Sequence, residues 1–382
     1  MPPRESTQPE DVSVLIDGVT FSGWDGLEIE LALDNFSTIE FDAPFEPDRV
    51  EFRRIFKPFS FKPLEVRVDG DTLFKGTLVG IEPRRTANEA SVHVTGYAVP
   101  AVIQDCMAPG STVPHSYEKM SLRSVTEALL APFKIAVQMS EEDPVQFGRA
   151  LRVKEGQKIY EFLVEIAKQR GYVISNTPGG DFLYWKSVTP GNPVANIVEY
   201  EQSLVSVEAQ FSAQEYYSEV TGFTAASPKG KRKGNKYTER NPWLLNVLRP
   251  MSFHMDDIDK GDVVAATKAK LGRMFSNMAS YSIDSLPTWR DPNGALWAPN
   301  TTLSVHAPSA MIYRPYELII RNVKLKQSSK TWTSSLTMVM PGAFSGQAPT
   351  HLPWDEDDAV TNQTQRFNID AFIAQQYPMS GQ

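Results

Sequence analysis

The side chains able to do chemistry are few and scattered. Five histidines, His93, His115, His254, His306 and His351, are spread over the chain. None stands in a His-x-x-x-His or Cys-x-x-Cys context, the spacing that brings two ligands onto one metal ion. His93 and His306 fall within alternating strand patterns, where a hydrogen-bonded structural imidazole is expected. There is no Gly-x-Ser-x-Gly elbow, no Walker loop and no Gly-x-Gly-x-x-Gly. Pro178-Gly179-Gly180 separates two strand patterns and reads as a turn. The one cysteine, Cys106, excludes an intramolecular disulfide and a multi-cysteine metal site. No histidine beside it in sequence activates a thiolate, so a buried, small apolar role is expected.

Three charge features remain. In His254-Met-Asp256-Asp257-Ile-Asp259 the clustered carboxylates offer oxygens of the kind a hard cation takes, without the spacing or closing Glu of an EF-hand. The same acids precede a helix pattern, and Asp259-Lys-Gly-Asp262 suits the positive end of a helix. Lys229-Gly-Lys231-Arg232-Lys233-Gly-Asn-Lys236 is a basic loop, either simply solvated or a candidate contact for an acidic partner or passing nucleic acid. It lacks interleaved aromatics, so it is not a base-stacking surface. Asp355-Glu356-Asp357-Asp358 is the opposite charge block and the second candidate partner contact. These residues spell no catalytic set, no metal centre and no cofactor site, and the chain is expected not to be an enzyme.

The elements that would carry these residues are mostly strands. In 382 residues, 28 prolines outnumber 23 glycines, with 20 Phe, 13 Tyr and 7 Trp, a composition that favours β structure with rigid loops. Apolar residues make up 41% and charged residues 22%, enough to bury a core. The net charge of −8 argues against a general nucleic-acid binder. No apolar run approaches the roughly 20 residues of a membrane span, and Met1 to Asp11 lacks the apolar stretch of a secretory signal.

Residues 1–11 read as a flexible arm. Val12 to Ile16, Asp17-Gly18 and Val19 to Phe21 read as strand, tight turn and strand. Leu27 to Leu33 alternates apolar and polar, as does Thr38 to Phe41. Leu64 to Val68, Asp69-Gly70 and Leu73 to Ile81 form a second hairpin pattern, and Ala90 to Tyr97 adds another strand. Residues 12–99 are therefore expected to form an antiparallel β-barrel. Residues 100–198 read as α+β: a helix from Ser121 as N-cap to Ala131, a helix from Gln157 to Gln169 closed by Gly171, and a hairpin from Tyr172 to Trp185. Residues 199–345 read as a second antiparallel barrel, with strands near Leu204 to Ala209, Glu219 to Phe223, Ser282 to Leu286, Thr302 to Val305, Glu317 to Leu325 and Trp332 to Val339, and a helix over 260–281. Residues 346–382 read as a polar tail that orders against partners.

Val14-Leu-Ile-Asp-Gly-Val-Thr-Phe21 with Trp24 and Leu27-Glu-Ile-Glu-Leu31 resembles the opening of tailed-phage baseplate hub proteins, those of phage Mu and the T-even type. The resemblance continues through Phe74-Lys-Gly-Thr-Leu-Val-Gly80, Val94-Thr-Gly-Tyr97, Asp105-Cys106 and Ile159-Tyr-Glu-Phe-Leu163 leading to Gly171-Tyr172. It also takes in Asp291-Pro-Asn-Gly-Ala-Leu-Trp297-Ala-Pro-Asn300 and Leu336 to Pro341 with Phe344. Asn300 stands where the family usually has Gly. The resemblance implies two tube-type β-barrels around a small α+β domain, and a homotrimer whose six barrels make a pseudo-six-fold ring. That ring would join a hexameric tail tube or distal tail protein to a trimeric spike, fibre or tip protein. The tape-measure protein and DNA would pass through its lumen without specific binding. The implied place is the virion's tail baseplate or tip, after assembly in the host cytoplasm. The alternative reading is a carbohydrate-binding or peptidoglycan-processing tail-tip module, with aromatics around Trp289 and Trp297 stacking on sugars.

Overall fold

The computed structural model describes residues 11–86, 90–110, 116–148, 150–199, 206–224, 234–255, 260–328, 331–344 and 346–355. The first part of the chain lays down β1 (Val12–Ile16), β2 (Val19–Phe21), β3 (Asp25–Ala32), β4 (Thr38–Pro44), the short helix α1 (Val50–Ile55), β5 (Pro63–Val68), β6 (Asp71–Arg85) and β7 (Ala90–Ala98). Both Asp-Gly steps are two-residue hairpin turns. Asp17 and Gly18 have φ of 56° and 77°, and Asp69 and Gly70 of 51° and 89°, so both central residues are left-handed, as the strand twist demands. Alternation then decides the faces: Leu27 and Ile29, Ile39 and Phe41, Val92 and Val94 point into one core. Gly76 lets β6 and β7 approach closely. A Cβ there would overlap the Tyr97 carbonyl oxygen and the Phe74 ring.

The middle part comprises β8 (Ser116–Tyr117), α2 (Leu122–Leu130), β9 (Val137–Met139), β10 (Leu151–Arg152), α3 (Ile159–Gln169), β11 (Val173–Asn176) and β12 (Phe182–Trp185). Ser121 caps α2 as its pattern indicates, its Oγ accepting from the Ser124 N–H at 3.2 Å. Leu122, Val125, Leu129 and Leu130 of α2 are buried, as are Ile159, Phe162, Leu163 and Ile166 of α3. Gly171, at φ 72°, closes α3. Its neighbour β11 pairs with β12, and β9 joins β12 in parallel. The buried Tyr184 hydroxyl meets Thr126 Oγ1 at 2.7 Å, tying this small sheet to α2.

The last part contains β13 (Ala195–Val198), β14 (Ser206–Phe211), β15 (Glu219–Thr224), β16 (Lys236–Arg240), β17 (Pro250–Met255), α4 (Lys260–Met278), β18 (Ala279–Leu286), β19 (Thr302–Ala307), β20 (Ile312–Gln327) and β21 (Trp332–Val339). The protein is mainly β, with large antiparallel sheets and few helices. β20 pairs along β3, setting Val323 opposite Leu31 and Leu325 opposite Ile29. This seam makes one 13-stranded sheet out of the two strand sets, in the order β14-β18-β21-β20-β3-β4-β7-β6-β5-β1-β2, with β19 beside β20 and β13 parallel to β19. Val323 and Leu325 are completely buried at the seam.

Three expectations are corrected here. β15 does not enter the main sheet; it pairs with β16 and, in parallel, with β17, forming a separate three-stranded layer. Val220, Gly222 and Phe253 of that layer lie against α4, where the Gly222 backbone approaches Val263 and Thr267. The helix expected over 260–281 stops at Met278, and Ala279–Leu286 runs on as strand. Ala279 and Tyr281 are buried between β14 and β21, so ladder pairing and burial take these residues from the helix. Residues 346–355, expected within the partner-ordered tail, pack on the chain itself. Leu352 is buried, Trp354 meets Phe211 edge-on at 5.2 Å, and the Tyr316 hydroxyl donates to the His351 carbonyl at 2.9 Å.

Candidate functional site

The main sheet carries its chemistry on the face turned away from the core. The alternation that buries Leu27, Ile29, Ile39 and Phe41 turns Glu28, Glu30, Glu40 and Asp42 outward. Across the seam, Lys324 stands opposite Glu30 and Lys326 opposite Glu28. Glu28 and Glu40 face each other directly between β3 and β4, a like-charge pair that costs stability unless compensated. Compensation comes from β20: Lys324 Nζ lies 2.5 Å and Lys326 Nζ 2.8 Å from the Glu28 carboxylate. Partial burial pushes the Glu28 pKa up, but the hydrogen bonds from the two lysines outweigh it, and the carboxyl is held below its ordinary value. Further along, His93 Nδ1 meets Asp42 Oδ1 at 3.0 Å, the structural role its strand position indicates. Glu82 of β6 lies opposite His93 and pairs with Arg84 at 3.1 Å. The result is a continuous, mixed but predominantly acidic band from β20 to β6.

Apolar side chains break the surface elsewhere. Phe59 is 91% and Phe61 60% exposed in the loop between α1 and β5. Both hold left-handed backbone, φ 57° and 47°, unusual for bulky residues and a mark of a locally strained loop. Leu245 and Leu248, 79% and 85% exposed, form a second apolar tip between β16 and β17. Exposure of this degree on large side chains, clustered in loops, is typical of surfaces that meet another molecule.

Of the basic loop, Lys229, Lys231, Arg232 and Lys233 lie outside the described residues. Lys236 begins β16, its ammonium 5.5 Å from the Phe223 ring centre. Of the acidic block, Glu356, Asp357 and Asp358 lie outside the described residues, as do Asp256, Asp257, Asp259 and His115. Asp355 closes a local turn, accepting from the Leu352 N–H at 2.9 Å. Among the described residues no group of three or more His, Cys, Asp or Glu side chains is placed to hold a metal ion, and no helix is long and apolar enough to cross a membrane. Cys106 is half-buried rather than buried, because it sits just past a short helical turn whose end is open to solvent. Trp289 is fully buried and its indole N–H donates to the Lys326 and Thr333 carbonyls at 3.1 and 3.0 Å; Trp297 is also buried. Neither presents a ring to a sugar, which removes the aromatic platform expected for a carbohydrate-binding module.

Sequence reasoning missed a charge cluster between α3, α4 and the seam. A bulge in β20 between Ile320 and Asn322 turns Arg321 toward Asp34, and the two form a bidentate pair at 3.0 and 2.9 Å. Lys168 of α3 and Arg273 of α4 line the same cavity of about 220 Å³. The four residues are 34, 168, 273 and 321 in sequence, so no local spacing announces them.

The protein is a mainly β scaffold whose 13-stranded sheet is accompanied by smaller sheets and by loops with exposed apolar side chains. Residues 101–184 match the family of the baseplate hub protein gp44-like, second domain. The fold is that of prophage tail proteins. The chain is similar to the 43 kDa tail protein of prophage MuSo2 from Shewanella oneidensis, at 16% identity over 88% of this chain and 99% of that one, with a TM-score of 0.73. It is equally similar to the tail protein from Neisseria meningitidis MC58, at 17% identity over 90% and 100%, TM-score 0.73. A prophage tail protein from Listeria monocytogenes EGD-e follows at 10% identity over 86% and 94%, TM-score 0.55. No curated protein sequence matches the chain. The likeness thus holds in sequence to a hub-protein domain for residues 101–184 and in fold to prophage tail proteins for nearly the whole chain.

Proposed function

We propose that this chain is a structural baseplate hub subunit of a phage or phage-like tail, located in the virion. Three copies form a pseudo-six-fold ring joining the hexameric tail tube to a trimeric tip, with 12–99 and 199–345 as the tube-type units and 100–198 between them. The observation that carries the reading is the β3–β20 seam, which fuses two strand sets into one sheet beside the segment that matches a hub domain. Two sheet units per subunit are what a three-fold ring needs to meet a six-fold tube. The carboxylate excess of the mixed band, Glu28, Glu30, Glu40, Asp42 and Glu82 against Lys324, Lys326 and Arg84 that are already paired, supports a lumen wall along which DNA slides without adhering. The exposed Phe59, Phe61, Leu245 and Leu248 support contacts with a neighbouring subunit or a tail component.

The test is the solution mass of the purified chain by light scattering over a concentration series. A species at three times 42.7 kDa is expected. A monomer at every concentration, also when mixed with purified tail tube, counts against the ring.

A further inference from the structure

The cluster between α3 and α4 is incomplete in charge. Asp34 is engaged on both oxygens by Arg321. Lys168 and Arg273 line the same cavity, with Tyr160 as a neutral hydroxyl, and neither cation makes an ion pair among the described residues. The wall they share separates this cavity from a larger one of about 500 Å³ that Lys270 also lines. The exposed Lys168 and the half-buried Arg273, both lining this cavity, repel each other unless an anion lies between them.

We infer that the cavity bounded by Lys168, Arg273 and Arg321 is a binding site for an oxyanion, presented either as a free inorganic anion such as phosphate or as the carboxylate of a docking acidic segment. Geometry favours this ligand class. Arg273 supplies a planar fork of N–H donors, Lys168 an ammonium and Tyr160 a hydroxyl, while the Ser276 hydroxyl is spent on the Arg273 carbonyl at 2.8 Å. The three cations come from α3, α4 and β20, so an anion seated there ties the middle part of the chain to the second strand set. The electrostatics agree. Packing around the ammonium, then Arg273 and Lys270, lowers the Lys168 pKa to about 8. Burial lowers that of Arg273 to about 10; Asp34 and Tyr160 oppose the shift and Arg321 adds to it. The groups facing Lys168 are Arg273 and Lys270 from α4, Asp34 from the loop after β3 and Glu165 on its own helix. This site stands or falls independently of the trimeric ring.

The experiment titrates the full chain with sodium phosphate at pH 7, against sodium chloride of equal ionic strength, reading heat of binding and the thermal midpoint. Saturable binding and a rising midpoint are expected with phosphate and not with chloride. Lys168→Gln and Arg273→Gln are each expected to weaken binding about tenfold, the loss of one charge-assisted hydrogen bond, while Arg123→Gln, on the distant α2, leaves it unchanged. With sulfate as the probe, whose charge is constant over this range, wild-type affinity falls between pH 7 and pH 9 as Lys168 gives up its charge through about 8, and Lys168→Gln loses that part of the fall. The peptide Asp-Glu-Asp-Asp is the second arm. Competition with phosphate identifies a protein carboxylate as a ligand, and phosphate binding without competition identifies a free anion. Equal responses to phosphate and chloride, or undiminished phosphate binding in both the Lys168→Gln and Arg273→Gln variants, overturn the inference.

Discussion

The two strand sets share one sheet but are built in different ways. In the first, β1 to β7 lie within residues 12–98, and most neighbours are joined by short turns. Asp17-Gly18 and Asp69-Gly70 fix register locally. In the second, β13 to β21 span residues 195–339, and β14 and β18 are paired across an excursion of three strands and a helix. The excursion is a layer of its own, β16-β15-β17 covered by α4. Its parallel β15–β17 pair requires the chain to cross over rather than turn back. The difference teaches that the seam, not similarity of construction, makes the halves equivalent. The first half is held mostly by hairpins; the second keeps the β19–β20–β21 meander but closes its edge by the long-range β14–β18 pair, and the two join at the seam.

The comparison can be broken first at the seam. Leu325→Ala removes a completely buried side chain facing Ile29, and a loss of about 2–5 kcal/mol is expected. Urea unfolding followed by tryptophan fluorescence should show it, since Trp289 and Trp332 pack next to β20 and β21. An unchanged midpoint would mean that the halves are stable independently. Gly76→Ala strikes the first half alone, by forcing a methyl onto the Tyr97 carbonyl, and should cost about 1–3 kcal/mol. Amide exchange is expected to quicken in β6 and β7 more than in β18 and β21; equal quickening would show that the seam couples them fully. Ser121→Ala removes the α2 cap and should cost about 1 kcal/mol, with Ser121→Asp restoring most of it.

The smallest effect is electrostatic. The folded pKa of Glu28 lies below the ordinary 4.5, so its ionised form stabilises the fold above that value, and this contribution is lost as the pH falls through the lowered one. Glu28→Gln is expected to lose under about 1 kcal/mol at pH 7, because the partner lysines are partly solvated. The gap to wild type should narrow steadily as the pH is taken below 4.5. A gap that stays constant down to acid pH would assign the loss to packing instead of charge.

What could be read from the sequence follows the same division. The first hairpins, the α2 cap and the end of α3 at Gly171 were legible because each is decided within a few residues. The excursion was not: β16 reads Lys-Tyr-Thr-Glu-Arg and begins inside a basic loop, and β17 alternates weakly. The Met278–Ala279 boundary was missed because a helix passes into a strand without a turn residue. Asn300 was legible as a departure but not in its meaning. It holds φ 64°, the left-handed conformation for which Gly is usual and which Asn tolerates best among other residues. Its side chain repays the change by accepting from the Val188 N–H at 2.9 Å and donating to the Lys186 carbonyl at 3.2 Å. The cationic cavity was illegible because Lys168, Arg273 and Arg321 meet only through the tertiary fold, and a β-bulge aims one of them.

The central claim is that the acidic face of the joined sheet lines the lumen of a trimeric ring. Electron cryo-microscopy of the purified chain, assembled at high concentration or on its tail tube, tests it most directly. The account predicts a closed ring of three copies whose inner wall has six-fold modulation and carries Glu28, Glu40 and Asp42. A closed ring with those carboxylates on its outer surface, or particles of any other symmetry, would contradict it.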